Sequence, residues 1–267
     1  MARFAGSRIV AVALLVFIAA PPALLAAEGG AITTISDRPS YILVGFVGGF
    51  VRHTNAHHGP VKIAQQLQQQ APKNAFIRVF ENRHRKTALK TILHLLDANR
   101  DGVLSDEEKA TAHIMLFGQS WGGSAVVLLA RELDRIDVPV MLTVQVDSVP
   151  KLWQNDEVIP DNVAAAVNFY QPHGIIHGRP QIRAADNSKT RILGNYRLDY
   201  KKNPVRCEGY SWFDRYVTPD HMQSECDPHI WSQVEELMRQ RMMPQSPGVA
   251  STSTPLESVT ILDQARQ

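Results

Sequence analysis

Between His113 and Ala130 the sequence reads HIMLFGQSWGGSAVVLLA, with one serine set between glycines in Gly118-Gln119-Ser120-Trp121-Gly122. An apolar run that turns at once into a helical pattern crowds the backbone at its turning point, and residues without Cβ on either side relieve that crowding. Ser120 is thereby held out on a sharp turn. Backbone N–H groups and the positive end of the helix dipole then lie beside the place where an oxyanion would form. This is the equipment of nucleophilic acyl transfer. It needs two more groups, a base to take the hydroxyl proton and an acid to orient that base.

At these residues the sequence resembles the α/β-hydrolase superfamily, lipase-like and esterase-like members in particular. The match is strongest from His113 to Ala130, and the order of elements extends it from about Tyr41 to about Met242. The resemblance implies a chain order of serine, acid, histidine. Asp147 closes the apolar run after the serine's helix, in Val144-Gln145-Val146-Asp147-Ser148, which puts it at the same C-terminal sheet edge as Ser120. Open α/β sheets bind their ligands at that edge. Many family members carry the acid one strand later and some lipase-like members use this earlier strand, so a turn or N-cap aspartate is the alternative reading.

Four histidines follow Asp147: His173, His177, His221 and His229. His221 lies in Thr218-Pro219-Asp220-His221-Met222, read as a loop before the last helix, and the resemblance implies that the base sits there. His229 follows Asp227-Pro228, an N-cap and first-turn signature, and belongs to helix architecture. His173 and His177 flank Gly174 in a turn-rich stretch. For the oxyanion, one donor is the Trp121 amide. The resemblance implies a second from the loop after an early strand, where Gly45-Phe46-Val47-Gly48-Gly49 offers Phe46 or Val47. This stretch departs from the H-G-G-G form of some esterases and lacks the Lys-Ser/Thr of a phosphate loop. His53, His57 and His58 follow it, in what reads as a solvated entrance loop; metal binding is the other reading.

A second pattern precedes the serine. Asp97-Ala98-Asn99-Arg100-Asp101-Gly102-Val103-Leu104-Ser105-Asp106-Glu107-Glu108 fits the twelve-residue EF-hand calcium loop at every ligand position. Asp97, Asn99 and Asp101 supply side-chain oxygens, Gly102 the sharp turn, Val103 its carbonyl, Ser105 a contact through water and Glu108 a bidentate carboxylate. The stretch resembles a single EF-hand without a paired second loop. One structural calcium ion bracing the fold and the Ser120 turn is the expectation.

These groups have to be positioned by a framework. Tyr41–Val44, Ala75–Phe80, Ile114–Phe117 and Val138–Val146 read as strands. The helical periods centre on Val61-Ala64-Leu67, Leu89-Ile92-Leu93-Leu96 and Gly122–Leu133. Farther on, Val163–Phe169 reads as a helix, Arg191–Tyr200 as a strand and His229–Arg241 as a helix. Strands alternating with helices imply an α/β fold: a mostly parallel central sheet with helices on both faces, as in α/β-hydrolases, with the EF-hand-like helix-loop-helix inserted before the serine's strand.

The 267 residues, 44% hydrophobic and 20% charged, are those of an ordinary globular chain. Residues 1–27 read as a signal peptide, with Arg3 and Arg8, the apolar run Ile9–Ala20, and small residues up to Ala27; an uncleaved anchor is the alternative. Residues 28–242 form the hydrolase-like domain with its loop at 97–108, and 243–267 a mobile C-terminal tail. Without residues 1–27 the 26 basic residues equal the 26 acidic ones, which removes the positive field that a phosphate backbone demands. Nucleic acid is not an expected partner, and no stable membrane span remains after cleavage. Cys207 and Cys226, the two cysteines, straddle His221 and could bridge in an oxidising compartment; two buried thiols are the alternative.

Together these features imply an exported protein, periplasmic or secreted, that cleaves a carboxylic ester of a small molecule or lipid through Ser120, His221 and Asp147. Acyl transfer on the same scaffold, or a non-catalytic calcium-dependent binding module, are the alternatives.

Overall fold

The computed structural model describes residues 38–210 and 218–242. The expected signal peptide 1–27, the expected tail 243–267 and residues 211–217 lie outside the described residues. All described residues fall in one compact unit, Ser36–Gln267.

The sheet is built from β1 (Ile42–Val47), β2 (Phe76–Glu81), β3 (Ile114–Gln119), β4 (Leu142–Val146), β6 (Ala165–Tyr170) and β8 (Arg191–Arg197), in the order β2-β1-β3-β4-β6-β8. Every neighbouring pair is parallel. A separate parallel pair joins β5 (Val158–Ile159) to β7 (Arg183–Ala184). Six α-helices are described: α1 (Gly59–Gln70), α2 (Arg85–Leu96), the short α3 (Asp106–Ala110), α4 (Trp121–Asp134), α5 (Pro219–Cys226) and α6 (Pro228–Met242).

Side chains alternate across a strand, so each strand feeds two cores. On one face Leu43, Met115, Phe117 and Val144 pack with Val61 and Leu67 of α1 and with Trp231, Val234 and Met238 of α6. On the other, Val44, Phe46, Ile114 and Leu116 pack with Ile92 of α2 and Val126 and Leu129 of α4. Burial on both faces explains why these strands read as unbroken apolar runs.

The expected architecture is present, with three differences. Val163–Phe169 is not helical but supplies β6, a central strand. Its run of Ala165, Ala166 and Val167 is equally apolar at either period, and only the sheet neighbours β4 and β8 decide between them. His221 lies within α5 rather than in a loop. The β4 strand begins at Leu142, four residues later than Val138, which is nonetheless buried.

The 97–108 loop leads into α3. Arg100 (φ 59°) and Gly102 (φ 83°) take left-handed conformations. Ser105 caps α3, accepting from the Glu108 N–H, while Glu108 accepts from the Ser105 N–H at 3.0 Å, a reciprocal box. Glu108 also accepts from the Ala98 N–H (2.8 Å) and from Arg38 (3.0 Å). The Ser105 and Ala98 amides hold its carboxyl below the usual carboxylate range. Asp97 accepts from the Gly102 N–H through Oδ2 (3.0 Å), and its Oδ1 is buried with no hydrogen-bond partner. Among the described residues no three His, Cys, Asp or Glu side chains converge as a metal cluster. The loop sits at the N-terminal end of β3, the end away from Ser120.

Candidate active site

Ser120 follows β3 directly and opens α4, with φ 56° and ψ −128°. A non-glycine residue at such a φ is strained, and strain of this kind collects where geometry serves a function. The flanking glycines are required by contact as well. A Cβ on Gly118 would lie 2.5 Å from the Gly122 backbone, and one on Gly122 would lie 2.3 Å from the Phe46 carbonyl oxygen. The turn can close only if both positions lack a side chain.

The three residues named for base, acid and nucleophile come together. His221 Nε2 lies 2.9 Å from Ser120 Oγ, and His221 Nδ1 lies 2.6 Å from Asp147 Oδ2. All three are buried, Asp147 completely. Asp147 (φ 44°) is the residue immediately after β4, at the sheet edge that carries Ser120. His173, His177 and His229 are not in this chain of contacts: His177 lies by the Gly178 carbonyl, and the His229 N–H donates to Asp227 in the N-cap arrangement at the start of α6.

Residues that sequence reasoning missed fix the acid. The Gln171 backbone N–H donates to Asp147 Oδ1 (3.2 Å), its side-chain amide donates to Oδ2 (3.0 Å), and the Gly178 N–H donates to Oδ1 (2.6 Å). A Cβ on Gly178 would meet that oxygen at 2.5 Å. Three donors besides the imidazole leave the carboxylate fully bonded and fixed in direction. No sequence motif marks Gln171; only its place just after β6, the strand beside β4, could have pointed to it.

The oxyanion expectation needs correction at two of its three residues. Phe46 is an interior residue of β1, paired with Phe80 on one side and Gly118 on the other, and its side chain is core. Val47 is still in the ladder with β2. Amides committed to a sheet cannot also face a ligand. The backbone that approaches the nucleophile is one residue later, where a Cβ on Gly48 would lie 2.7 Å from Ser120 Cβ. Trp121 stands where expected, as the first residue of α4, and the Gly123 and Ser124 amides behind it bond the Ser120 carbonyl. The Trp121 ring carries Phe50 edge-on (centroids 5.5 Å) and Lys151 Nζ above it (4.7 Å). Burial, with Arg85 adding to it, pulls the Lys151 ammonium below its ordinary value.

The helix that holds His221 is tied down at its far end. His58, the residue before α1, is hydrogen-bonded to Glu225 of α5, and both are buried. Tyr210 packs edge-on against His58 (5.1 Å), and burial, helped by Glu225, pushes its phenol above the ordinary range. Trp231 of α6 donates through Nε1 to the Glu225 carbonyl (2.8 Å), in space that Gly59 leaves open. The neighbouring histidines form no metal cluster: His53 lies 3.6 Å from Glu81, and His57 contributes its carbonyl to the Tyr210 hydroxyl.

Cys207 and Cys226 are joined by a disulfide that ends α5. A loop of about 20 residues closed in this way contributes about 3 kcal/mol on the chain-entropy account. Cys207→Ser/Cys226→Ser is expected to lose that amount in urea unfolding, with the slope against denaturant changed because the unfolded chain is no longer looped.

An all-parallel α/β sheet with a strained serine between strand and helix, and an imidazole linking it to a buried carboxylate, defines the class of site. No protein-family model matches the sequence, and no curated protein matches it. Solved structures similar to it include an acetyl xylan esterase, at 9% identity over 77% of this chain and 99% of that one (TM-score 0.38). A cutinase-like protein from Cryptococcus sp. aligns at 11% identity over 78% of this chain and 97% of that one (TM-score 0.39). A dienelactone hydrolase from Anabaena variabilis aligns at 13% over 77% and 86% (TM-score 0.36). At these levels the fold rests on the sheet order and the site on its own distances.

Proposed function

We propose that the protein is an exported serine hydrolase that cleaves a carboxylic ester, with one structural calcium ion. The observation that carries this reading is the unbroken contact from Ser120 Oγ through His221 to Asp147. His221 Nε2 takes the Ser120 proton as Oγ attacks the ester carbonyl, and returns it to the departing alcohol. Water, deprotonated by the same nitrogen, then releases the acid and restores the serine. Asp147 holds the imidazole with Nδ1–H toward it and offsets the charge that develops on the ring. The Trp121 amide, with an N–H from the Gly48-Gly49 backbone in place of Phe46 or Val47, would receive the oxyanion.

The test is labelling of the protein with a fluorophosphonate, read by intact mass, with Ser120→Ala as control. One adduct that disappears in Ser120→Ala supports the reading. A well-folded, calcium-loaded protein that takes no label would leave the scaffold as a calcium-dependent binding module. Hydrolysis and acyl transfer share every step up to the acyl-enzyme, and are told apart by whether a supplied alcohol is recovered as a new ester.

The calcium reading is supported by the loop's backbone. Left-handed Arg100 and Gly102, the capped start of α3 and the unpartnered buried Asp97 Oδ1 are features that a cation would use. Asp97, Asn99, Asp101, the Val103 carbonyl, Ser105 and Glu108 would hold the ion, which supplies charge neutralisation there and no chemistry at Ser120. At calcium about 100-fold above Kd, the bound state gains about 2.7 kcal/mol. Chelation is therefore expected to lower the thermal midpoint by roughly 5–10 °C; an unchanged midpoint in a metal-loaded sample refutes the site. Export is supported by the apolar run near the N-terminus and by the disulfide, which suits an oxidising compartment.

A further inference from the structure

Asn82, the residue after β2, is buried, and its side chain bonds only to other segments of the chain. Its amide nitrogen donates to the Val47 carbonyl (3.2 Å) and the Gly49 carbonyl (2.7 Å), and its amide oxygen accepts from Lys151 Nζ (2.6 Å). The two carbonyls bracket Gly48. A peptide unit is planar and trans, so its C=O and the next N–H point to opposite sides. In the sheet β1 lies between β2 and β3. A Val47 carbonyl drawn to Asn82, on the β2 side, therefore turns the Gly48 N–H toward the β3 side, where Ser120 stands. That is the direction an oxyanion donor needs.

The orientation of Asn82 is set in turn by Lys151. The two ends of a carboxamide have nearly the same shape and differ in whether they donate or accept. An ammonium has donors alone, so Lys151 can hold the Asn82 oxygen and not the nitrogen, and the nitrogen is left facing the glycine turn. The same ammonium lies 4.7 Å above the Trp121 ring, and Trp121 carries the other oxyanion N–H. One side chain from the loop after β4 thus spans both segments that must meet around the developing charge. Its own backbone is anchored to α4: the Lys151 N–H (3.3 Å) and Ser124 Oγ (3.2 Å) both donate to Gln154 Oε1. Because burial pulls the ammonium below its ordinary value, it is held in this place against a cost in hydration.

We propose that Lys151 is a positioning residue for the oxyanion pocket: through Asn82 it orients the Gly48 N–H, and through the Trp121 ring it holds the start of α4 beside that donor. This rests on the hydrolase reading and deepens it, by naming what keeps the pocket in shape without touching substrate. Two variants test it. Lys151→Met keeps the length of the stem and its packing on Trp121 but cannot donate. Asn82→Asp is isosteric and keeps a partner for the lysine, but offers the Val47 and Gly49 carbonyls an acceptor in place of a donor. Each is measured for kcat and KM on a short-chain ester and for affinity toward an alkylboronic acid. The boronic acid forms an Oγ–B bond with Ser120 as the proton passes to His221, and the resulting tetrahedral anion reads the pocket without turnover.

Loss of one oxyanion donor costs about 10²- to 10³-fold in kcat, and a misdirected one is expected to cost about 10- to 100-fold in either variant. KM is expected to change little, and boronate affinity to fall by a factor similar to kcat. Thermal midpoints verify folding, and either variant carries the test if the other does not fold. A kcat within about twofold of the unsubstituted protein overturns the inference. So does a loss confined to KM, which would make the lysine a contact of the substrate, or a loss of kcat with boronate affinity unchanged. Unsubstituted protein that takes no fluorophosphonate sinks the hydrolase reading and this role with it. Labelled unsubstituted protein beside an indifferent Lys151→Met sinks this role alone.

Discussion

Ser120→Ala and His221→Ala are each expected to lower kcat on a short-chain ester by about 10⁴- to 10⁶-fold, and to do so almost as completely as the two together. Groups that act as one relay do not contribute additively, since either loss breaks the same proton path. Asp147→Asn is expected to lose about 10⁴-fold with KM little changed, because an amide in place of the carboxylate favours the wrong imidazole tautomer while leaving the pocket intact. Asp220 gives the contrast. It adjoins His221 in sequence but bonds Gln223 and not the imidazole, so Asp220→Asn is expected to retain activity. A series in which Asp220 mattered and Asp147 did not would reassign the acid. Initial rates per mole of purified protein of matched thermal midpoint decide the matter.

The second large effect lies away from the chemistry. Glu225→Ala is expected to destabilise the fold by about 1–3 kcal/mol, since it strands a buried His58 imidazole whose partner is gone. The loss should be disproportionate to the volume removed. Replacing both members with apolar residues, as in His58→Phe/Glu225→Leu, is expected to recover much of it, because no polar group is then left buried and unpaired. A double-mutant cycle in urea measures the coupling. A cycle with no coupling would mean that the two residues stabilise the protein only by filling space. The same substitution loosens α5, which carries His221 one turn earlier, so kcat should fall in Glu225→Ala while the Ser120 turn, held by β3 and α4, stays in place.

What was legible in the sequence was what local sterics and periodicity encode. The glycines around Ser120 announce the turn because that turn is impossible without them, and Asp147 follows a strand whose position was already set by its apolar run. His221 was legible by chain order alone, which explains why its helix was misread as a loop: eight residues opening on Thr218-Pro219 carry too little period to register. The alanine-rich β6 failed for a related reason, since a strand buried on both faces has no alternation to show. The remaining parts of the site are contacts across long separations. Gln171 reaches Asp147 from 24 residues away, and Glu225 reaches His58 from 167. Such pairs leave no mark in either neighbourhood. The shift of the expected oxyanion donor from Phe46 and Val47 to Gly48 is a matter of where β1 stops pairing, and strand ends are what a pattern locates least well.

The order in which the three residues occur has a consequence during synthesis. His221 comes 101 residues after Ser120 and 74 after Asp147. At about 5–20 residues per second, a ribosome exposes the serine and its oxyanion turn for roughly 5–20 s before the imidazole has even been made. During that interval the growing chain has a nucleophile with nothing to deprotonate it, and closure of Cys207 with Cys226 comes later still. The proton relay is therefore complete only once α5 has been made and has reached the sheet edge, so a nascent chain that ends before Pro219 carries the Ser120 turn without its base.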